Sequence, residues 1–425
     1  MTMKKLQVIY DGWAERWTLG TLADTGREIL FEYSSQAIGR GLELSPMHQP
    51  LPRAGAVAVS FKGESYFYGL PGFVADALPD GWGMLLMDRA LRKLGRNARQ
   101  VSVLERLAIV GERAMGALSF EPANEDILPA EKLELKELAK EIVALQSDEV
   151  SSADPTGEKL RHLMQLGGSP QGARPKVLVD FNARTGQLSS GLPLAGIATP
   201  WLMKFPAESE HREVSAVEEL YARVAKAGGI DMPRSRFFDL GARHSAFGVE
   251  RFDRMVKDRQ IRRVPIMSLS AYLQADHRLP SLDYETLLLA TLRITGDQRE
   301  VQKAFARCVF NVLMHNRDDH SRNFAFRLDE QGLWKLSPAF DLTYSPGPGG
   351  EHSTSVAGHG KDVRRAHLMQ VARVGGVSVK VAERTISEWI KVASGMNKLV
   401  RELPIRRATV QELLKSTAAR IELLR

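Results

Sequence analysis

The residues best suited to chemistry are Asp318, Asn323 five positions later, and Asp341. Two short alternating runs, Asn323–Leu328 and Leu333–Leu336, lie between Asn323 and Asp341, and Asp329-Glu330-Gln331-Gly332 joins them as a hairpin turn. A hairpin returns the chain to its start. Asp341 is therefore expected to come back beside Asn323, so that three oxygen-bearing side chains converge. Phosphoryl transfer needs such a set: one carboxylate to accept a hydroxyl proton, then an amide and a second carboxylate to hold Mg²⁺ against the phosphates. The spacing leaves a plainer reading open, in which Asp318, Asp319 and His320 form a solvated turn after a helix and Asp341 caps the next element.

Composition bounds the possibilities. A chain of 425 residues is long enough for two or three domains. Its 44% hydrophobic and 26% charged content is ordinary for a globular protein with a sizeable core. A net charge of +7 permits acidic partners, such as ATP or nucleic acid, without demanding one. The single cysteine, Cys308, lies in an apolar helical run and reads as a small buried hydrophobe, and no disulfide can form within the chain. MTMKKLQVIYDG lacks the apolar core of a signal peptide, and no apolar run reaches membrane-spanning length, so no membrane role is expected and a reducing cytoplasm is the expected compartment.

The elements that must position these residues follow in order. Residues 6–120 mix short strands (Leu6–Tyr10, Trp17–Leu22, Ile29–Tyr33, Val57–Ser60, Tyr66–Gly69) with helices over Met84–Leu94 and Val101–Leu107. Asp76, Asp80 and Trp82 precede the first helix and could be functional, although a turn with a helix N-cap is the favoured reading. Residues 121–158 read as a linker holding one exposed, charged helix, Glu131–Gln146, and the polar stretch Ser147–Gly157. A glycine-rich loop, GGSPQGARPK, then leads into a strand at Val177–Phe181 and a turn at Asn182–Gly186. Its N–H groups suit phosphate, although it matches neither Walker A nor G-x-G-x-x-G. Arg174 and Lys176 add positive charge at its exit.

Trp201–Pro206 is apolar except for Lys204, which must either snorkel to water or meet an anion. The helix after it, Ser215–Ala227, carries Glu218 and Glu219, and strands at Arg236–Leu240 and Ala246–Phe252 follow. The second strand runs into Glu250-Arg251-Phe252-Asp253-Arg254, where a kinase has its inter-lobe hinge and its adenine contacts. From Ser268 the pattern is mainly helical, clearest over Ala271–Gln274, Tyr284–Thr291, Gln298–His315, Val379–Val392 and Thr409–Leu424. Arg317-Asp318-x-x-x-x-Asn323 matches the R-D-x-x-x-x-N core of a kinase catalytic loop, and Asp341 replaces the DFG aspartate in the context Ala-Phe-Asp-Leu.

The order is thus glycine loop, strand lysine, helix glutamate, hinge, Asp-x4-Asn, hairpin, Asp. Its wording resembles the HipA-like toxin kinase family over nearly the whole chain, in YGLPGFVADALPDGWG, GARPK, WLMKFP, ERFDR, NRDDHSRNF and LSPAFDLTYS. The resemblance implies an α+β, kinase-like two-lobed fold: an α/β subdomain over 1–125, a glycine-loop lobe over 126–262 and a mainly α-helical C-terminal lobe over 263–425. It implies a Ser/Thr kinase that uses ATP and Mg²⁺ and acts as the toxin of a toxin–antitoxin pair. Its partner would be a helix-turn-helix, HipB-like antitoxin that brings the complex to DNA, and its target a protein such as an aminoacyl-tRNA synthetase.

Carried over by position, Asp318 is the base, Asn323 and Asp341 are the Mg²⁺ ligands, Lys204 binds ATP phosphates, and Glu218 is the helix glutamate with Glu219 as alternative. Gly172, Ala173, Lys176, Glu250 and Phe252 complete the nucleotide site. Ser169, seven residues before Lys176, is the position of inactivating autophosphorylation, and Pro170 beside it departs from the family pattern. Two other readings compete. One is a small-molecule kinase of the aminoglycoside-phosphotransferase type, which the basic balance disfavours. The other is a regulatory, DNA-binding protein that has lost catalysis, against which stand the intact Lys204, Asp318, Asn323 and Asp341. Arg254–Arg263 could touch DNA directly, though a solvated charged hairpin is the plainer reading.

Overall fold

The computed structural model describes residues 3–52, 59–60, 65–123, 131–146, 158–167, 170–190, 198–241 and 243–425. They form two compact units. One holds residues 1–212 and 236–267, the other 213–235 and 268–425.

The first unit contains two larger sheets and a two-stranded hairpin. Strands with alternating burial, such as Lys5–Gly12 and Ile29–Tyr33, build a five-stranded sheet in the order Val59–Ser60, Ile29–Tyr33, Glu15–Asp24, Lys5–Gly12, Leu118–Glu121. The alternation is what a sheet with one buried face requires. The expected strand at Tyr66–Gly69 is instead a 3-10 turn at Ser65–Phe67, with Tyr68 at φ 56° and Gly69 at φ 74°, conformations no strand tolerates.

The second sheet is six-stranded, in the order Ser235–Asp239, Ser245–Glu250, Thr199–Lys204, Lys176–Phe181, Leu188–Ser190, Glu131–Leu133. The expected exposed linker helix fails here. Glu131–Leu133 is the edge strand of this sheet, and only Leu135–Gln146 is helical. That helix buries Leu135, Leu138, Ala139, Ile142 and Leu145 in the core, an apolar face that its many charges hide from a composition count. The helix Glu158–Gly167 was not anticipated and joins the same core through Leu160, Leu163 and Leu166. So do Trp82, Leu86 and Ala90 from the helix Gly81–Lys93. The stretch Ser147–Gly157 lies outside the described residues.

The second unit is helical, as expected. Its helices start where side-chain caps occur: Asp283 accepts the N–H of Thr286 to open Tyr284–Thr295, Asp297 that of Arg299 to open Gln298–Leu313, and Ser378 that of Val381 to open Val379–Ser394. Val301, Phe305, Cys308 and Phe310 on the second of these helices are fully buried, and Phe310 packs edge-on against Trp389 at 5.3 Å. The helix Arg365–Val374 was not foreseen. No helix among the described residues is long and apolar enough to cross a membrane.

Candidate active site

The second unit carries the Asp-x4-Asn loop, and two links fix it. The hairpin forms as the spacing predicts: Ala325–Leu328 pairs with Trp334–Leu336 in the register Phe326↔Leu336, Arg327↔Lys335, Leu328↔Trp334. Asp329 closes the turn by accepting N–H groups of Gln331 and Leu333 on its side chain, and Gly332 sits at φ 75°. The ladder continues to Ser337, whose N–H reaches Ala325 O at 2.9 Å. At the other end Asn316 bridges Ser345 in parallel, with Arg317 N–H on Ser345 O at 3.3 Å and Ser345 N–H on His315 O at 3.1 Å. The segment 337–345, which carries Asp341, is therefore pinned at both ends to the segment 316–325, which carries Asp318 and Asn323. Asp341 itself has φ 54°. A non-glycine residue held there stores strain of about 1–3 kcal/mol, a mark of functional positions.

The two adjacent aspartates play opposite parts. The Asp318 side chain is 56% exposed, with His320 Nε2 at 3.8 Å, so its carboxylate can meet an incoming hydroxyl. Asp319 is 1% exposed. Its oxygens accept from Tyr284 Oη at 2.7 Å and from the N–H groups of Ser353 and Thr354 at 2.9 and 3.2 Å, and His352 Nδ1 lies at 2.7 Å. Behind Tyr284 the chain of bonds runs on to Asn311 and Asn316 at 2.8 and 2.9 Å. Asp318 is exposed, as both readings of the turn require, whereas a solvated position fails for Asp319. Spacing could not reveal this network, because its members stand at 284, 311, 316, 319 and 352.

Asn323 lies in a 3-10 turn, Ser321–Asn323, rather than in the expected strand. Its Nδ2 donates to Asp318 O at 2.6 Å, which closes the loop. Asn323 Oδ1 and the Asp341 carboxylate are hard oxygen donors that fit Mg²⁺, an ion bound by one or two protein ligands with phosphates and water completing the shell. Among the described residues no group of three or more His, Cys, Asp and Glu side chains could hold a metal by itself.

Glu218 and Glu219 are both buried on the helix Val214–Ala227, and Glu219 is paired with Arg223 at 2.7 Å. His315, at φ 55°, stacks on Tyr344 at 5.3 Å. Burial, with Arg317 and Arg420 nearby, lowers its imidazole from 6.5 to about 4.

The first unit carries the glycine loop and the strand lysine. Lys204 ends its strand only 6% exposed, so it does not snorkel. It stands opposite Lys176 on one neighbouring strand and Phe247 on the other, with Nζ 5.8 Å from the Phe247 ring centroid. Lys176 is also buried, and its Nζ donates to Gln171 O inside the glycine loop. Gly172 has φ 104°. Ala173 follows it on the exposed side, and Arg174 pairs with Glu210 at 2.7 Å. Ser169 lies outside the described residues.

Glu250 ends the strand Ser245–Glu250, opposite Trp201, and Phe252 follows in a turn. Beyond them Asp253 is 1% exposed and takes Arg251, Arg254 and the N–H of Gly116 at 2.7 to 2.8 Å. Burial would raise its carboxyl, but Arg251 and Arg254 hold it well below the usual carboxylate range. Arg254 and Arg263 turn inward onto the carbonyls of residues 114–118. The hairpin Arg254–Lys257 and Gln260–Arg263 forms as expected, but these two arginines are neither solvated nor available to DNA.

Asp80 was read as a helix N-cap. It occupies that position before Gly81–Lys93, yet its side chain caps nothing there. Its Oδ1 accepts the N–H of Gly172 instead. No sequence signal pointed to this, since the two residues are 92 apart.

Comparison with known proteins adds the following. The family model described as the HipA-like C-terminal domain matches residues 168–398, more than half of the chain, and that of the HipA N-terminal domain matches residues 10–121. A Sinorhizobium fredii protein named "Putative kinase Y4dM" is 24% identical over 308 residues, 68% of this chain and 65% of that protein, so the match spans just under two thirds of the relative's length. The fold is similar to that of HipA from Shewanella oneidensis, solved as a toxin–antitoxin complex with HipB and operator DNA. The TM-score is 0.73 at 16% identity, covering 99% of this chain and 97% of that one.

Proposed function

The chain belongs to the HipA family, and we propose that it is an ATP- and Mg²⁺-dependent protein serine/threonine kinase acting as the toxin of a toxin–antitoxin pair. What supports the chemistry is the pinning of the Asp341 segment at both ends against the segment bearing Asp318 and Asn323. In this reading Asp318 takes the proton of the attacking hydroxyl, and Asn323 and Asp341 hold the metal. Bound there, Mg²⁺ neutralises charge developing on the phosphates. Lys204 binds the phosphates, Glu218 is its helix glutamate, Gly172, Ala173 and Lys176 form the loop, and Glu250 and Phe252 contribute backbone to the adenine. Self-modification at Ser169 would add about −1.5 to −2 charge beside the phosphates and stop the enzyme.

The partner would be a small helix-turn-helix, HipB-like antitoxin that carries the complex to DNA; the Shewanella oneidensis HipA of similar fold was solved in complex with HipB and operator DNA. The substrate would be an essential protein such as an aminoacyl-tRNA synthetase, and the compartment the cytoplasm. The test is labelled-phosphate transfer from ATP together with growth on overexpression. Wild type should incorporate label and arrest growth. Asp318→Ala should lose roughly 10²–10⁴-fold in rate and relieve the arrest with an unchanged melting temperature. Equal rates in both proteins would remove Asp318 from the chemistry.

A further inference from the structure

Four hydrogen bonds tie the turn at residues 76–82 to the glycine loop, all inside the first unit. Gln171 Nε2 donates to Asp76 O at 3.0 Å and Leu78 O at 3.4 Å. Gly172 N–H donates to Asp80 Oδ1, and Trp82 N–H returns to Gly172 O at 3.1 Å. The last two exchange caps. The loop carbonyl receives a helix N–H that the N-cap side chain would ordinarily serve, and the N-cap side chain receives the loop N–H. The approach is close enough to require glycine at position 81, where an added Cβ would stand 2.6 Å from Gly172 O and 2.8 Å from Ala173 Cα, at φ 39°.

Both sides of this contact are anchored. Trp82 is 2% exposed in the core beneath the six-stranded sheet, and Lys176 Nζ braces Gln171 O from the strand side. A glycine loop alone would sample many backbone states, and a nucleotide would have to order it on binding.

From this we infer that Asp80 is a positioning residue: the 76–82 turn preorganises the loop at Gln171–Ala173 for nucleotide phosphates. The inference rests on the kinase reading for its ligand, but the holding of the loop is testable without it. A charge-assisted hydrogen bond is strong for its kind. Its removal in Asp80→Ala should speed hydrogen exchange of the 170–176 peptide roughly ten- to hundredfold, while the strands Thr199–Lys204 and Ser245–Glu250 keep their protection. KM for ATP should rise about tenfold with kcat changed less, and Asp80→Asn, which keeps an acceptor oxygen, should restore most of both.

Gly81→Ala is a second, independent route. It leaves Asp80 intact but pushes Gly172 away, so it should reproduce the KM shift. Wild-type exchange at 170–176 in Asp80→Ala would overturn the inference, as would a fall in KM, which would make the contact a brake. Exchange accelerated uniformly through both strands would also overturn it, by reducing Asp80 to a stability role. A wild type that binds no ATP would sink the kinase reading, and the exchange measurement would still decide whether Asp80 holds the loop.

Discussion

Asp253 in the first unit and Asp319 in the second are each 1% exposed, and the two carboxylates are satisfied by different chemistry. Asp253 in the first unit sits between two guanidiniums, Arg251 and Arg254, and one backbone N–H. Asp319 in the second is held by a tyrosine hydroxyl, two backbone N–H groups and His352. The first arrangement is a charge cluster that fastens residues 251–263 to residues 114–118. It works only while complete, since removing one buried charge strands the others. The second is a network of mostly directional, uncharged donors. In the proposed kinase reading it suits a loop whose neighbouring residue, Asp318, would have to keep one orientation toward solvent. Ion pairs fasten pieces of the fold together here, whereas hydrogen bonds aim a side chain.

That contrast can be broken in three places. The largest expected effect is at Asp253. Asp253→Ala leaves Arg254 buried and uncompensated and should destabilise by about 3–5 kcal/mol, read as a fall in the denaturant midpoint. A loss below about 1 kcal/mol would show that the arginines relax to water. Next comes Asp319→Asn, which keeps the volume but turns one acceptor into a donor. It should cost about 1–3 kcal/mol and also lower the phosphotransfer rate while KM for ATP stays put, because Asp318 loses its backing. A variant that is less stable but fully active would assign Asp319 to the fold alone.

The smallest effect concerns pH. Burial, with Arg317 and Arg420 nearby, keeps His315 neutral down to about 4, whereas an unfolded histidine titrates near 6.5. The unfolded state binds the extra proton between those values, so the stability His315 contributes is whole above 6.5 and declines as pH falls toward 4. Asp253 is depressed instead, so its contribution is kept until pH drops below the ordinary carboxylate range. Of these two groups, His315 should therefore lose its contribution first in acid. His315→Gln should flatten the melting temperature between pH 7 and 4.5, and an unchanged slope would place the proton uptake elsewhere.

The segment from Asp318 to Asp341 was legible where its determinants are local. The Asp329–Gly332 turn, the two short strands and the return of the chain follow from glycine, an Asx turn and alternation over a dozen or so residues. Lys204 was legible for the same reason, as a lone charge in an apolar strand that the structure finds buried. The helix at Leu135–Gln146 was misplaced to the surface because its charge count masks five buried apolar residues at helical spacing.

By itself the sequence determined the order of the motifs, the type of most elements and the spacing that puts an amide and two acids around one hairpin. Local backbone preferences and side-chain periodicity act over a few residues and can be read in a line. Only the tertiary structure decided that Asp319 faces inward while Asp318 faces out, that Arg254 and Arg263 are structural, and that Asp80 holds Gly172 rather than its own helix. Those outcomes depend on which donors packing brings to a buried oxygen, and the partners include residues 35, 92 and 147 positions away along the chain.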